Sequence, residues 1–194
     1  GSIMTLLSGS SANHLTLGGN ISGGLSDELI SVFPTGAWYY GIAGGSIAAN
    51  QYHHILFSWV TSSSTNSGNP GYDIWLNGNL VGNGKGGTLL PVPFSLSSSF
   101  EIGRRGNGTQ YFDGKIDEIA FWDSDVSADI STIRGGGTPG DLNKTSVVST
   151  PPTRWYRMGD NNGGSGNTVS DVGTNSGAVN LSLNNTPSFS TDTP

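Results

Sequence analysis

The sequence predicts an all-β protein: two packed antiparallel sheets with one short helix. Three observations carry this. Short apolar, β-branched or aromatic runs recur along the chain, separated by Gly, Asn, Asp and Ser turns. Helical spacing of apolar residues is nearly absent. The 31 Gly and 9 Pro among 194 residues suit many tight turns and few long elements.

Taken in order, His14–Leu17 alternates and stops at Gly18-Gly19. Glu28–Phe33 is β-prone until Pro34. Ala37–Ile42 is rich in aromatics. His53–Val60, "HHILFSWV", reads as a strand, and the polar tract Thr61–Gly71 as a loop. Tyr72–Leu76 is a strand followed by Asn77-Gly78, the dipeptide that favours a two-residue hairpin, and Leu80-Val81 returns. Phe100–Gly103 and Tyr111–Trp122 follow as strands. Ser127–Arg134 reads as the helix. Ser127 is placed to cap it, Asp129 stands at the positive end of the dipole, and Ile130 and Ile133 share a face. Gly135-Gly136-Gly137 ends it. Residues 138–152 read as a linker, Thr153–Met158 as a strand, and 153–194 as a C-terminal segment that completes the sandwich. The expectation is one domain over 1–194, since chains of this length fold as single sandwiches.

Composition narrows the function. Net charge is −6 and the pI about 4.7. No basic run is available to neutralise phosphates, so nucleic acid is not an expected partner. No apolar stretch approaches the ~20 residues that span a bilayer, so membrane insertion is not expected. There is no cysteine, which excludes disulfide frameworks and thiol nucleophiles and points toward a bacterial or viral source.

The stretch "DGKIDEIAFWD" places Asp113, Asp117, Glu118 and Asp123 around an apolar run. On a regular strand Asp117 and Glu118 point to opposite faces. Ile116 and Ile119, three apart, cannot both face a core unless a bulge falls at Asp117-Glu118. The acids then fix strand and loop positions, with Lys115, Arg104 and Arg105 as partners. A calcium site is the alternative: this ion takes about six to eight oxygens, from carboxylates, amides and Gly-rich loop carbonyls. "SDVGTNSG" offers Asp171 and Asn175 for it, beside Asp117 and Glu118. His53-His54 point apart on a strand and do not form a zinc site. Trp38-Tyr39-Tyr40 are consecutive, so at least one ring faces away from the core. They are the candidate platform for a ligand, a sugar ring above all.

Several stretches in order resemble the laminin-G-like, or concanavalin A-like, jelly-roll superfamily. They are "NQYHHILFSWV" (Asn50–Val60), "YDIWLNGNLV" (Tyr72–Val81), "FEIG" (Phe100–Gly103), "YFDGKIDEIAFWD" (Tyr111–Asp123) and "DVSADISTI" (Asp125–Ile133). The resemblance covers roughly Asn50–Arg134 and implies a two-sheet jelly roll. A segment that such proteins carry near their start has its counterpart here at the end, Trp155–Leu181, as in a circular permutation. It also brings the Asp171 loop toward Asp117 and Glu118. Glycosidases of this superfamily carry three acids at alternate positions of one strand, and retaining chemistry needs two carboxyls about 5 Å apart. No Glu-x-Asp-x-Glu occurs here, so no catalytic residues are assigned and no enzyme is expected. "WYRMGD" (Trp155–Asp160) is similar to segments of tailed-phage virion proteins.

The resulting expectation is a non-catalytic interaction module on an extracellular or virion surface: a decoration, knob or fibre part that mediates attachment or adhesion. Its partners would be glycans or other surface proteins, in an arrangement open to a homo-oligomer. The alternative is a carbohydrate-binding module of a bacterial secreted protein. Calcium is the one cofactor considered.

Overall fold

The computed structural model describes residues 2–7, 14–18, 30–33, 39–41, 50–60, 71–84, 99–103, 111–138, 140–160 and 166–190. They are mostly strands and turns with one short α-helix. The chain divides into two compact units, Gly1–Gly114 and Lys115–Pro194.

The first unit holds two antiparallel sheets. β1 (Ser2–Leu7), β2 (His14–Gly18), β3 (Ile30–Phe33) and β4 (Tyr39–Gly41) run as a meander. β5 (Ile55–Val60), β6 (Gly71–Leu76) and β7 (Asn79–Gly84) form a second meander. β8 (Ser99–Ile102) returns to pair with β1, giving the order β4-β3-β2-β1-β8 beside the three-stranded β5-β6-β7. In the second sheet β6 is central, and Asp73, Ile74, Trp75 and Leu76 are all buried. Four consecutive buried residues mean that both faces of β6 are covered, since strand side chains alternate. The β6–β7 turn is the expected Asn77-Gly78 hairpin. Its φ angles of 52° and 83° give the left-handed pair that matches strand twist. β1 was not foreseen: "SIMTLL" neither alternates cleanly nor carries a turn signal before it.

The second unit is built from smaller pieces. The strand expected over Tyr111–Trp122 is only β9 (Ile119–Phe121). Glu118 breaks the extended run with φ 49°, a left-handed conformation that costs a non-Gly residue ~1 kcal/mol. The bulge expected at Asp117-Glu118 is not formed, because the strand begins only at Ile119. Glu118 is instead a left-handed residue just before the strand, and it frees Ile119 from the facing of Ile116. Ser127–Asp129 is a 3-10 turn leading into α1 (Ile130–Arg134). The foreseen side-chain cap from Ser127 is not made. Instead Asp125 Oδ1 accepts from Ser127 N at 2.9 Å, and Asp129 Oδ2 accepts from Ser149 N at 2.7 Å and Ser149 Oγ at 2.6 Å. Gly135 ends the helix at φ 56°.

Residues 140–152 supply Leu142, Val148 and Pro152 to the core, which also holds Val126, Ile133, Trp155, Tyr156 and Val169. β10 (Arg154–Tyr156) pairs antiparallel with β9 in the register Arg154–Phe121, Trp155–Ala120, Tyr156–Ile119. β11 (Thr168–Val169) pairs with β12 (Leu181–Ser182), and Tyr156 bridges to Asp171.

Candidate functional site

Two of the carboxylates singled out in the sequence, Glu118 and Asp171, reach β10. Side chains alternate along this strand, so Arg154 and Tyr156 lie on one side, Trp155 and Arg157 on the other. Each side has its own acid.

On the first side, Asp171 is a hub. Its Oδ2 accepts from Arg154 Nη1 at 2.7 Å and from Val179 N at 3.2 Å. Its Oδ1 accepts from Trp155 N at 3.1 Å and Gly173 N at 3.0 Å. The side chain is 1% exposed. Burial alone would raise its pKa. The bonds from Arg154, Gly173, Trp155 and Val179 together hold the carboxyl below its ordinary value. Backbone bonds continue the seam. Val172 N reaches Trp155 O at 2.9 Å, Thr174 N reaches Pro152 O at 2.9 Å and Asn175 N reaches Thr153 O at 3.1 Å. Arg154 Nη1 also donates to Gly177 O. The buried Tyr156 hydroxyl donates to Val179 O at 2.8 Å, and burial, aided by nearby Asp171, pushes its pKa up to about 12.

Gly173 lies flat against this seam: a Cβ there would sit 2.5 Å from Thr153 O and 2.6 Å from Arg154 Cα, both backbone atoms. Gly173→Ala must lift the loop off β10, and a destabilisation of about 1–3 kcal/mol is expected in urea unfolding.

On the other side, Glu118 Oε2 accepts from Trp155 Nε1 at 2.5 Å and Oε1 from Arg157 Nε at 3.2 Å. Trp155 is 1% exposed. The Arg157 guanidinium carbon stands 5.0 Å from the centre of its ring, a cation–π contact. Arg157 Nη2 donates to Asp160 Oδ2 at 2.9 Å. Asp117 Oδ1 accepts from Glu118 N at 3.1 Å. Burial raises the Glu118 pKa, and the donors Trp155 and Arg157 only partly offset it. Burial also raises Asp117, with repulsion from Asp160 adding to it.

These shifts have opposite signs in stability. Asp117 and Glu118 bind a proton more readily in the folded chain. Their contribution is fully present below the unfolded values of 3.8 and 4.5 and is lost as pH rises through the raised folded values. Asp171 contributes above 3.8, and that is lost as pH falls through its lowered value. Glu118→Gln should therefore make urea stability fall less between pH 4.5 and neutrality than in the parent chain, while leaving the loss at lower pH.

The expected metal set is thus divided. Glu118 and Asp171 reach Trp155 from its indole and its backbone, and Asn175 Oδ1 accepts from Gly177 N at 3.1 Å within its own loop. Both Asp171 oxygens accept two donors each. Among the described residues no group of three or more His, Cys, Asp or Glu is placed to hold a metal. Arg154 pairs with Asp171, and Arg157 with Glu118 and Asp160; the sequence reading named neither cation. Arg104 and Arg105, which it did, lie outside the described residues. The missed signal is the pattern Arg-Trp-Tyr-Arg itself, which delivers one cation to each face of a strand. Of the aromatic platform, Trp38 lies outside the described residues. Tyr39 and Tyr40 sit on β4, opposite Val32 and Ser31, at the end of the five-stranded sheet.

A laminin-G family model described as the concanavalin A-like lectin/glucanases superfamily matches residues 2–130. The chain belongs to the concanavalin A-like superfamily. No curated protein and no solved structure matches it. The match reaches back from the stretch 50–134 to β1, so the concanavalin A-like region includes the whole first meander. It stops at the first residue of α1. β9, the last strand inside the concanavalin A-like region, takes its partner β10 from beyond it. The β-sandwich character of the superfamily agrees with the strand-rich chain, and no helix among the described residues is long and apolar enough to cross a membrane.

Proposed function

We propose that this concanavalin A-like chain is a non-catalytic binding module that works by surface recognition. The superfamily suggests a binding module, and the carrying observation is how the chain's acids are used. Glu118 is engaged by Trp155 and Arg157, and Asp171 by four donors. Groups bound this way hold strands together and are poorly placed to shuttle protons. The superfamily's two-sheet jelly roll is the architecture we assign, with residues 153–194 completing it in the manner of a circular permutation. The pairing of β10 with β9 supports that assignment.

The ligand we favour is a glycan, met by Trp38, Tyr39 and Tyr40. The position of β4 at the end of its sheet among the described residues supports this. The setting we favour is an extracellular or virion surface, on the similarity of Trp155–Asp160 to virion segments. A carbohydrate-binding module of a secreted bacterial protein is the same chemistry in another setting.

The test is a broad glycan array probed with the whole chain, in calcium and in EDTA, beside Trp38→Ala and Tyr40→Ala. Binding that survives EDTA and is lost in these variants supports the glycan reading. Binding lost in EDTA restores a calcium site. No binding in either buffer moves the role to protein subunits, and turnover of any polysaccharide overturns the non-catalytic reading.

A further inference from the structure

The hairpin tip of the first unit carries chemistry outside the reading above. Asn77 is fixed there by three contacts. Its N–H donates to His54 O at 2.8 Å, its Oδ1 accepts from His54 N at 2.9 Å, and its Nδ2 lies 3.1 Å from His53 Nδ1. Gly78 follows, with no Cβ to block the approach of its own nitrogen to the Asn77 side chain. An amide is displaced when its carbonyl oxygen is polarised, its leaving nitrogen can be protonated, and a nucleophile is adjacent. The first is met by the His54 N–H, placed as an oxyanion donor. The second falls to the His53 imidazole, whose Nδ1 stands 3.1 Å from the leaving nitrogen and, once protonated, can give its proton to that nitrogen after the amide has become tetrahedral. The third is the Gly78 nitrogen, next in the chain.

We propose that Asn77 is a self-deamidation site, with His54 N–H polarising the amide and His53 serving its leaving nitrogen. The Gly78 N–H gives its proton to water, and its electron pair forms a bond to Asn77 Cγ. Negative charge gathers on Oδ1 against His54 N–H. The Cγ–Nδ2 bond then breaks, its electron pair stays on nitrogen, and a proton from His53 completes ammonia. The proton taken up by water restores His53. Water opens the resulting succinimide at either carbonyl to give an aspartate or isoaspartate. The sum is one amide plus one water to one carboxylic acid and one ammonia, with no oxidant or metal. The aspartate product would keep the His54 contact and place a carboxylate against His53, adding one negative charge to the hairpin.

The experiment follows conversion at each Asn-Gly pair by peptide mass spectrometry, in the folded whole chain and in concentrated urea. Asn83-Gly84, Asn107-Gly108 and Asn162-Gly163 are the internal references. Asn77 should convert faster in the folded chain than in urea, and His53→Ala should slow the folded rate on the order of tenfold with the urea rate unchanged. A folded rate at or below the urea rate overturns the proposal, as does a folded His53→Ala chain that converts like its parent. If that variant does not fold, the folded-to-urea ratio of the parent chain decides alone.

Discussion

Asp171→Ala should destabilise the second unit by about 3–5 kcal/mol, the scale for breaking a buried pair from one side. The substitution removes both acceptor oxygens at once. Arg154, whose side chain is 15% exposed, keeps its charge without this carboxylate. The backbone N–H groups of Trp155, Gly173 and Val179 lose their acceptor in the same step. Urea unfolding followed by tryptophan fluorescence would show it as a lower midpoint. Asp171→Asn should cost less, because one oxygen remains for two of the donors. A loss under 1 kcal/mol for Asp171→Ala would mean that the loop is held by its backbone bonds alone.

Trp155→Ala should cost about as much, some 3–5 kcal/mol, for a different reason. A ring that is 1% exposed leaves a cavity in the core of the second unit. Arg157 loses the face it stacks on and Glu118 loses its closest donor. Trp155→Phe separates the two effects. It keeps most of the packing and removes only the indole N–H, so about 1–3 kcal/mol is expected from the half-buried carboxylate left short of a donor. Should Trp155→Phe match Trp155→Ala, the hydrogen bond would outweigh the packing.

Where periodicity and turn chemistry are local, the sequence told the truth. "YDIWL" followed by Asn-Gly became β6 and its left-handed turn, and the triple glycine ended α1. Trp75, inside the expected strand Tyr72–Leu76, is buried. Long-range pairing was less legible. The need for a break at Asp117-Glu118 followed from Ile116 and Ile119, but no local signal says that Glu118 will meet Trp155 and Arg157, 37 and 39 residues on. Nor does any local signal say that the Trp155 backbone N–H will meet Asp171, 16 residues further along. The cap expected from Ser127 went elsewhere for a similar reason: Asp125, two residues before it, offers its own oxygen, and Asp129 is drawn to Ser149.

The pairing of β9 with β10 also bears on how this protein can be divided. A chain cut where the family match ends, at residue 130, would lose β10, Trp155 and Arg157 together. Ile119–Phe121 would then present bare ladder groups, and Glu118 would face them without its clamp. An unsheltered apolar strand of that kind seeks a second molecule to pair with. The similarity boundary is therefore a poor place for scissors. A recombinant piece meant to stay monodisperse needs the segment through at least the Asp171 loop, and any natural shuffling of this module must carry that tail along.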